Sequence, residues 1–600
     1  MILWALALGC SSPPEAPPAP PAPVPIAAPT GTGPSYVVRF PAPQTQYLEV
    51  EASLPNPAQD TLDVMMAVWT PGSYLVREYA QHVVDLEAHG ASGPLSVRKT
   101  SKNRWTVQAQ GEGVVRIDYR VWSTERTVRS NLVESDLAIL NGAPTFVTVP
   151  SLLDQPHDVR FELPEGWSAA ETALPMHPSG EPQHYLAHDF DQLVDTPVLL
   201  GNPTVQEFEV AGVPHSLVSI GEDSQWDLER ATRDLEVLVE AQQAFWGGQL
   251  PYDRYLFLNA VINTRGGLEH MSSTLMMAHA DQMLDEGRYE DWLGLASHEF
   301  FHTWNAKRLR PEPLGPFDYE REVYTDDLWI VEGFTSYYDD LLLMRAGLLD
   351  QSTYLGRLSD QIAKLQDTPG RLHQPLAQSS FDSWVEFYRK DDNTSNTSIS
   401  YYNKGAVVGF ALDATIRRAT GDAKSLDDVM RIAYARHSEE RGYTPEEFRA
   451  IVEEVAGVDM DAWFERSVDR AEPLELDEPL SWFGLKRVET TRDDQGWAGG
   501  SLSGSLRVSS LDERGPAWAS GLQIGDEVIA MNGVRLGYGD WAQMGQRHAP
   551  GDTLELLTAR RGQLREVSMQ LGIAPPTVRV EIDRQANALM TARRRAWLSR

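Results

Sequence analysis

The sequence predicts a multidomain α+β protein in which a β-sandwich precedes a mainly helical domain and a smaller β domain follows. Three observations predict it. From Tyr36 to about Gly201, short apolar runs alternate with polar residues and are broken by Pro, Gly and Asn, as in Tyr47–Ala52 and Val114–Val121. Period-two alternation with frequent turn residues is the pattern of a two-layer β domain. From about Gln225 the apolar period becomes helical, giving expected helices at Leu228–Phe245, Tyr354–Leu365, Gly405–Arg417, Leu426–His437 and Pro445–Val458. An acidic, proline-containing connector from Ala471 to Pro479 marks the next boundary. The expected spans are 36–205, 206–475 and 476–575, with a basic tail at 576–600 whose Arg593-Arg594-Arg595 run reads as a helix packing back on the body. Ser379 to Ser400, rich in Asp, Asn, Ser and Thr, reads as a loop.

A length of 600 residues suits three to four domains, and a hydrophobic fraction of 42% suffices for their cores. The net charge of −34 argues against nucleic acid as a partner and against an anionic membrane as a docking surface. Cys10 is the single cysteine, so no intrachain disulfide can form. It ends a short apolar run, Met1–Gly9, whose Ala7-Leu8-Gly9-Cys10 end resembles a bacterial lipoprotein processing site, although no Lys or Arg precedes the run. Ser11–Pro34 is a proline-rich spacer, extended and semi-rigid. Together these features imply residence in a bacterial cell envelope, facing the periplasm or at the outer membrane, with membrane contact only through a lipid on Cys10. No other apolar stretch reaches the 18 or more residues of a membrane span.

His298-Glu299-Phe300-Phe301-His302 carries the chemistry. Histidines four apart on a helix point the same way, so both imidazoles can hold one Zn²⁺ while Glu299 reaches a water on it. Phe300, Phe301 and Trp304 make the helix a buried one, where ionisable groups are costly unless paired or bound to metal. A catalytic zinc takes a third protein ligand. Glu332, a lone carboxylate in the apolar run Leu328–Tyr338, is the best candidate; Glu320 and Glu322 lie in a polar stretch and are weaker ones. Gly333 beside it makes sense if two helices approach closely there.

Two further patches complete the expected site. Tyr255–Asn263 reads as a buried strand running into Arg265-Gly266-Gly267-Leu268-Glu269-His270. Gly266 and Gly267 would let a substrate backbone come close, and Glu269 could hold an ammonium group. Tyr401-Tyr402-Asn403-Lys404-Gly405-Ala406 opens an apolar helix, and a tyrosine beside a zinc site can donate to an oxyanion.

These strings, HEFFHTWN, WIVEGFTSYY, GGLEH and YYNKGA, resemble the glycyl-aminopeptidase type of zinc metallopeptidases, HExxH gluzincins related to the aminopeptidase N group. The likeness extends to Val68–Tyr74 and Glu125–Phe146 upstream. It implies a thermolysin-like catalytic domain with one Zn²⁺ per chain on His298, His302 and Glu332. It also implies Glu299 as base, Tyr402 as oxyanion donor with Tyr401 the runner-up, and Glu269 as anchor for a free amino terminus. The substrates implied are peptides beginning with small residues such as Gly or Ala. The sequence departs from the exopeptidase pattern at His270, where an Asn is expected. Gly515–Gly533 is similar to a PDZ domain, in which Phe483-Gly484-Leu485 would form the loop receiving a peptide C-terminus. Two alternatives stand beside the aminopeptidase: a zinc endopeptidase with PDZ-selected substrates, and a non-catalytic peptide-binding envelope protein, for which Glu299 would have no use.

Overall fold

A computed structural model describes residues 33–56, 60–438 and 441–599. Cys10 and the proline-rich stretch up to residue 32 lie outside the described residues. No described helix is long and apolar enough to cross a membrane.

The N-terminal unit is β-rich. Its seven-stranded sheet has Ser35–Arg39 near the middle, antiparallel to Tyr47–Pro55 and parallel to His157–Glu162. In Val114–Trp122 the alternation is literal, with Val115, Ile117, Tyr119 and Val121 turned into the core. Two four-stranded sheets pack over the same cluster through Val64, Val107, Leu140 and Leu200.

The next unit begins with a five-stranded mixed sheet. Tyr255–Val261 is its central strand, parallel to both neighbours and buried at every position, hence its unbroken apolar sequence. Gly266–Glu269 forms the edge and lies against the helix Glu286–Phe301. That helix starts at Asp285, whose carboxylate accepts the Arg288 N–H at 3.0 Å, and ends at His302. The helical body follows, including Thr335–Ala346, Gln351–Asp367, Tyr401–Thr420, Leu426–His437 and Pro445–Ala456. Trp292, Phe300, Phe301, Trp304 and Tyr338 share its core. Between residues 379 and 400 the chain is not one loop: it passes through short helices at Leu376–Phe381, Asp382–Trp384 and Thr394–Thr397, because Trp384 and Asn396 are buried and pin it at two points.

The C-terminal β unit has its own core, from Ala498 to Leu571. Leu480, Phe483, Leu485, Val578 and Trp597 instead join the helical core, and Leu485–Thr490 pairs with Thr577–Ile582. Phe483-Gly484-Leu485 is therefore no receiving loop for a peptide. Phe483 stacks on Trp597 at 4.4 Å, and the Phe483 and Gly484 carbonyls accept bonds from Arg594 at 3.0 and 3.1 Å. The basic tail does pack back as the helix Ala588–Trp597, with Arg594 and Trp597 buried. The unit docks on the helical body through Asn396, which donates to the Leu511 carbonyl at 2.8 Å and accepts the Glu513 N–H at 3.2 Å.

Candidate active site

The site forms where the helix Glu286–Phe301 crosses the segment carrying Glu332. His298 Nε2 and His302 Nε2 lie 3.2 Å apart, and Glu332 Oε2 lies 3.4 Å from the first and 3.1 Å from the second. Atoms bound tetrahedrally at about 2.0–2.1 Å from a cation stand about 3.3 Å from one another, so the spacing suits one small metal ion. The outer nitrogens are fixed as well: His298 Nδ1 faces Asp339 Oδ2 at 3.1 Å, and His302 Nδ1 faces the Asn305 carbonyl at 2.7 Å. Such partners select the tautomer that leaves Nε2 free for a metal.

Charge gives a second test of fit. Burial alone would raise the Glu332 pKa, yet the two imidazoles hold it down at about 2. Burial would lower His298 and His302, but Asp339 and Glu332 raise the first and Glu332 raises the second. The cluster is thus short of positive charge, which a divalent cation would supply. Burial also lifts the Glu299 carboxyl to about 7. Glu320 takes no part: it is paired with Arg104 and Asn103 of the N-terminal unit.

Local structure explains why these groups meet. Trp329–Phe334 is a π-helical turn, a form that recurs at functional sites and loosens the ordinary carbonyl pairing. Asn305 compensates, its Nδ2 donating to the Ile330 and Val331 carbonyls at 3.0 Å each and to Thr335 Oγ1 at 3.1 Å. One residue therefore orients His302 and stitches the two ligand-bearing segments together. Gly333 faces Gly405 of the helix Tyr401–Thr420; a Cβ on Gly333 would lie 2.5 Å from the Gly405 Cα. The close approach expected at Gly333 is this one.

Glu269 reaches the same cleft from its edge strand. It is buried, accepts no hydrogen bond among the described residues, and has a carboxylate oxygen within 4.8 Å of Glu299 and His302. Gly267 lines the cleft. A Cβ there would fall 2.0 Å from Glu299 Oε1, so its absence makes room for that carboxylate; Gly266 has only Val128 at 3.6 Å. Tyr402 lines the cleft, its ring 6.1 Å from that of His298, whereas Tyr401 is fully buried against Phe387. The cavity holds about 520 Å³ and is also lined by Gly72 and Arg129 from the N-terminal unit. Sequence reasoning missed Asp339, Asn305, Gly72 and Arg129. Signals existed: Asp339 follows Glu332 by two helical turns, and Asn305, Gly72 and Arg129 lie in the stretches HEFFHTWN, Val68–Tyr74 and Glu125–Phe146 that carry the resemblance.

Residues 35–202 match the family model described as the peptidase M61 N-terminal domain, and residues 291–408 match that of the M61 glycyl aminopeptidase. Among solved structures, an aminopeptidase N family protein from Idiomarina loihiensis is 27% identical over 94% of this chain and all of its own, with a TM-score of 0.87. An M1 zinc metallopeptidase from Deinococcus radiodurans is 16% identical over 74% of this chain and 95% of its own; its TM-score of 0.47 is too low to carry an argument. No curated protein matches. Fold and site together define a peptidase. Its two family matches liken these segments to the M61 glycyl aminopeptidases.

Proposed function

We propose that the chain is a zinc-dependent aminopeptidase that releases small N-terminal residues, Gly or Ala, from peptides with a free amino terminus. The observation that carries this reading is Glu269, a buried carboxylate that accepts no hydrogen bond among the described residues and lies beside Glu299 and His302. His298, His302 and Glu332 would hold one Zn²⁺, which supplies Lewis acidity to the scissile carbonyl and makes a nearby water more acidic. Glu299, lifted by burial, accepts the water proton and returns it to the leaving amine. The Tyr402 hydroxyl donates to the carbonyl oxygen as charge develops there. Glu269 accepts from the α-ammonium and sets the register at the first peptide bond.

Free and N-acetylated forms of one alanyl peptide, compared in wild type and Glu269→Ala, test this. Glu269→Ala should lower kcat/KM on the free peptide about 100-fold, roughly 3 kcal/mol of transition-state stabilisation. Efficient cleavage of the blocked peptide, indifferent to Glu269, would make the protein an endopeptidase.

The C-terminal unit supports a PDZ-like reading at a different place from the one expected. A cavity of about 610 Å³ lies between the strand Gly500–Leu502 and the helix Asp540–Arg547, lined by Trp541 and Met544, and would take a peptide C-terminus along the strand edge. Envelope anchoring through Cys10 rests on the Ala7–Cys10 signal; Cys10→Ser should move the protein from membranes to the soluble fraction, and protein already soluble before substitution would refute it.

A further inference from the structure

Arg129 is a buried cation lining the cleft that the proposed reaction does not use. It comes from the N-terminal unit, and the chain around it is built to present it. Its carbonyl accepts the Tyr79 hydroxyl at 2.8 Å, and its N–H donates to Thr127 Oγ1 at 3.2 Å. Val128 is buried in a neighbouring core. Asn141 holds the Ser130 carbonyl at 2.7 Å, and Asn131 bonds Thr145 at 2.8 Å. The backbone on both sides is therefore fixed, and the side chain projects into the cavity that also holds Glu269, Glu299 and Tyr402.

The guanidinium nevertheless has no carboxylate partner and no hydrogen bond among the described residues, and its Nε is buried unpaired. Burial opposes its charge, while Tyr388, Tyr402, Glu299 and Glu269 around it keep it ionised. A second cation, Arg77, is near enough to feel its charge, its guanidinium hydrogen-bonded among the described residues to Ser73 Oγ at 2.8 and 3.3 Å; burial lowers its pKa, and the like charge of Arg129 adds to the effect. An unpaired buried donor costs free energy unless something bound satisfies it. A planar fork of N–H groups matches a carboxylate.

From this geometry we infer that Arg129 forms an anion subsite of the cleft and recognises a carboxylate of the substrate, either the α-carboxylate of a short peptide or an acidic side chain. This deepens, and rests on, the aminopeptidase reading: Glu269 would take the positive end of the substrate and Arg129 a negative group further along it.

Two substrate pairs separate the sources. Ala-Ala against Ala-Ala-amide isolates the α-carboxylate, and Ala-Glu-amide against Ala-Gln-amide isolates the side chain. In wild type one pair should show a preference of about 10- to 100-fold in kcat/KM for the anionic member, the range of a charge-assisted bond. Arg129→Gln should collapse that ratio toward one, and Arg129→Lys should restore part of it. A ratio within one preparation does not depend on how much protein is folded. Wild type indifferent within both pairs, or a preference that survives Arg129→Gln, would overturn the inference. Calorimetric binding of the same peptides to zinc-loaded Glu299→Gln, with and without Arg129→Gln, reads the subsite without turnover. Anion-selective binding that needs Arg129 in a protein that cleaves none of these peptides would sustain the subsite and refute the aminopeptidase.

Discussion

Lys404 sits in the first turn of the helix Tyr401–Thr420, 1% exposed, and its Nζ has no hydrogen-bond partner among the described residues. Burial brings its pKa down from 10.5 to about 8. The unfolded chain therefore binds this proton more tightly than the folded one, and between pH 8 and 10.5 stability should rise with pH. The fall from 10.5 to about 8 corresponds to about 3 kcal/mol of strain carried by the folded protein below pH 8 and relieved by pH 10.5. Lys404→Met keeps the aliphatic volume and removes the charge. It should stabilise the protein by up to about 3 kcal/mol at pH 7, with the gain shrinking as pH climbs through the window. Denaturant or thermal unfolding of both proteins at pH 7, 8, 9 and 10 measures it. A Met variant less stable at pH 7, or a difference that does not change with pH, would refute the reasoning and mean that the lysine finds a partner.

Asp339→Asn removes the charge behind His298 while keeping the shape, and zinc affinity should fall about 10- to 100-fold, read by competition with a chelator; unchanged affinity would leave Asp339 a spectator. Tyr402→Phe should cost about 10²–10³ in kcat, with a smaller loss from Tyr401→Phe because only the first hydroxyl faces the cleft. Equal or larger damage from Tyr401→Phe would exchange their roles.

The parts of this site legible in the sequence are those whose signal is local. Histidines at i and i+4 declare a shared face, and a single carboxylate in an apolar run, Glu332, declares itself by its cost. Gly333 announced a close approach, although its partner Gly405 is 72 residues away and only the fold shows the two backbones meeting. The strand Tyr255–Val261 and the helix Leu228–Phe245 were plain from their periods. What could not be read is what packing alone decides. Asn305 acts through a backbone carbonyl and through a π-helical turn that no residue pattern marks. Phe483-Gly484-Leu485 misled because a short apolar-glycine string looks alike whether it receives a peptide or covers Trp597, which lies more than a hundred residues later. Arg129 lies in the upstream stretch Glu125–Phe146 that the resemblance covers, yet nothing local gave it a role: its neighbours in sequence belong to a β domain, and its neighbours in space to the peptidase.

That last case bears on what the N-terminal unit is for. Asp195, at the end of a short helix there, takes the Lys307 ammonium at 2.6 Å, the Met271 N–H at 2.7 Å and His270 Nδ1 at 3.3 Å. Burial would raise its pKa, but Lys307 and His270 hold it at about 2, so it is ionised and tightly engaged. Met271 and His270 follow Glu269 directly, and Lys307 follows the metal-binding helix. One carboxylate thus ties the strand that carries Glu269 to the end of the helix that carries His298 and His302. Trp69 donates to the Asp318 carbonyl at 2.8 Å in the same interface, and Gly72 lies so near Glu269 that a Cβ would stand 2.5 Å from Oε1. In the proposed function the helical domain would supply the metal ligands and the base, while the β domain would supply the wall, the arginine and the tether that set distances between them. If Glu269 sets the register as proposed, it depends on those distances to within about an ångström, and the two domains would then act as one catalytic unit rather than an enzyme with an appendage.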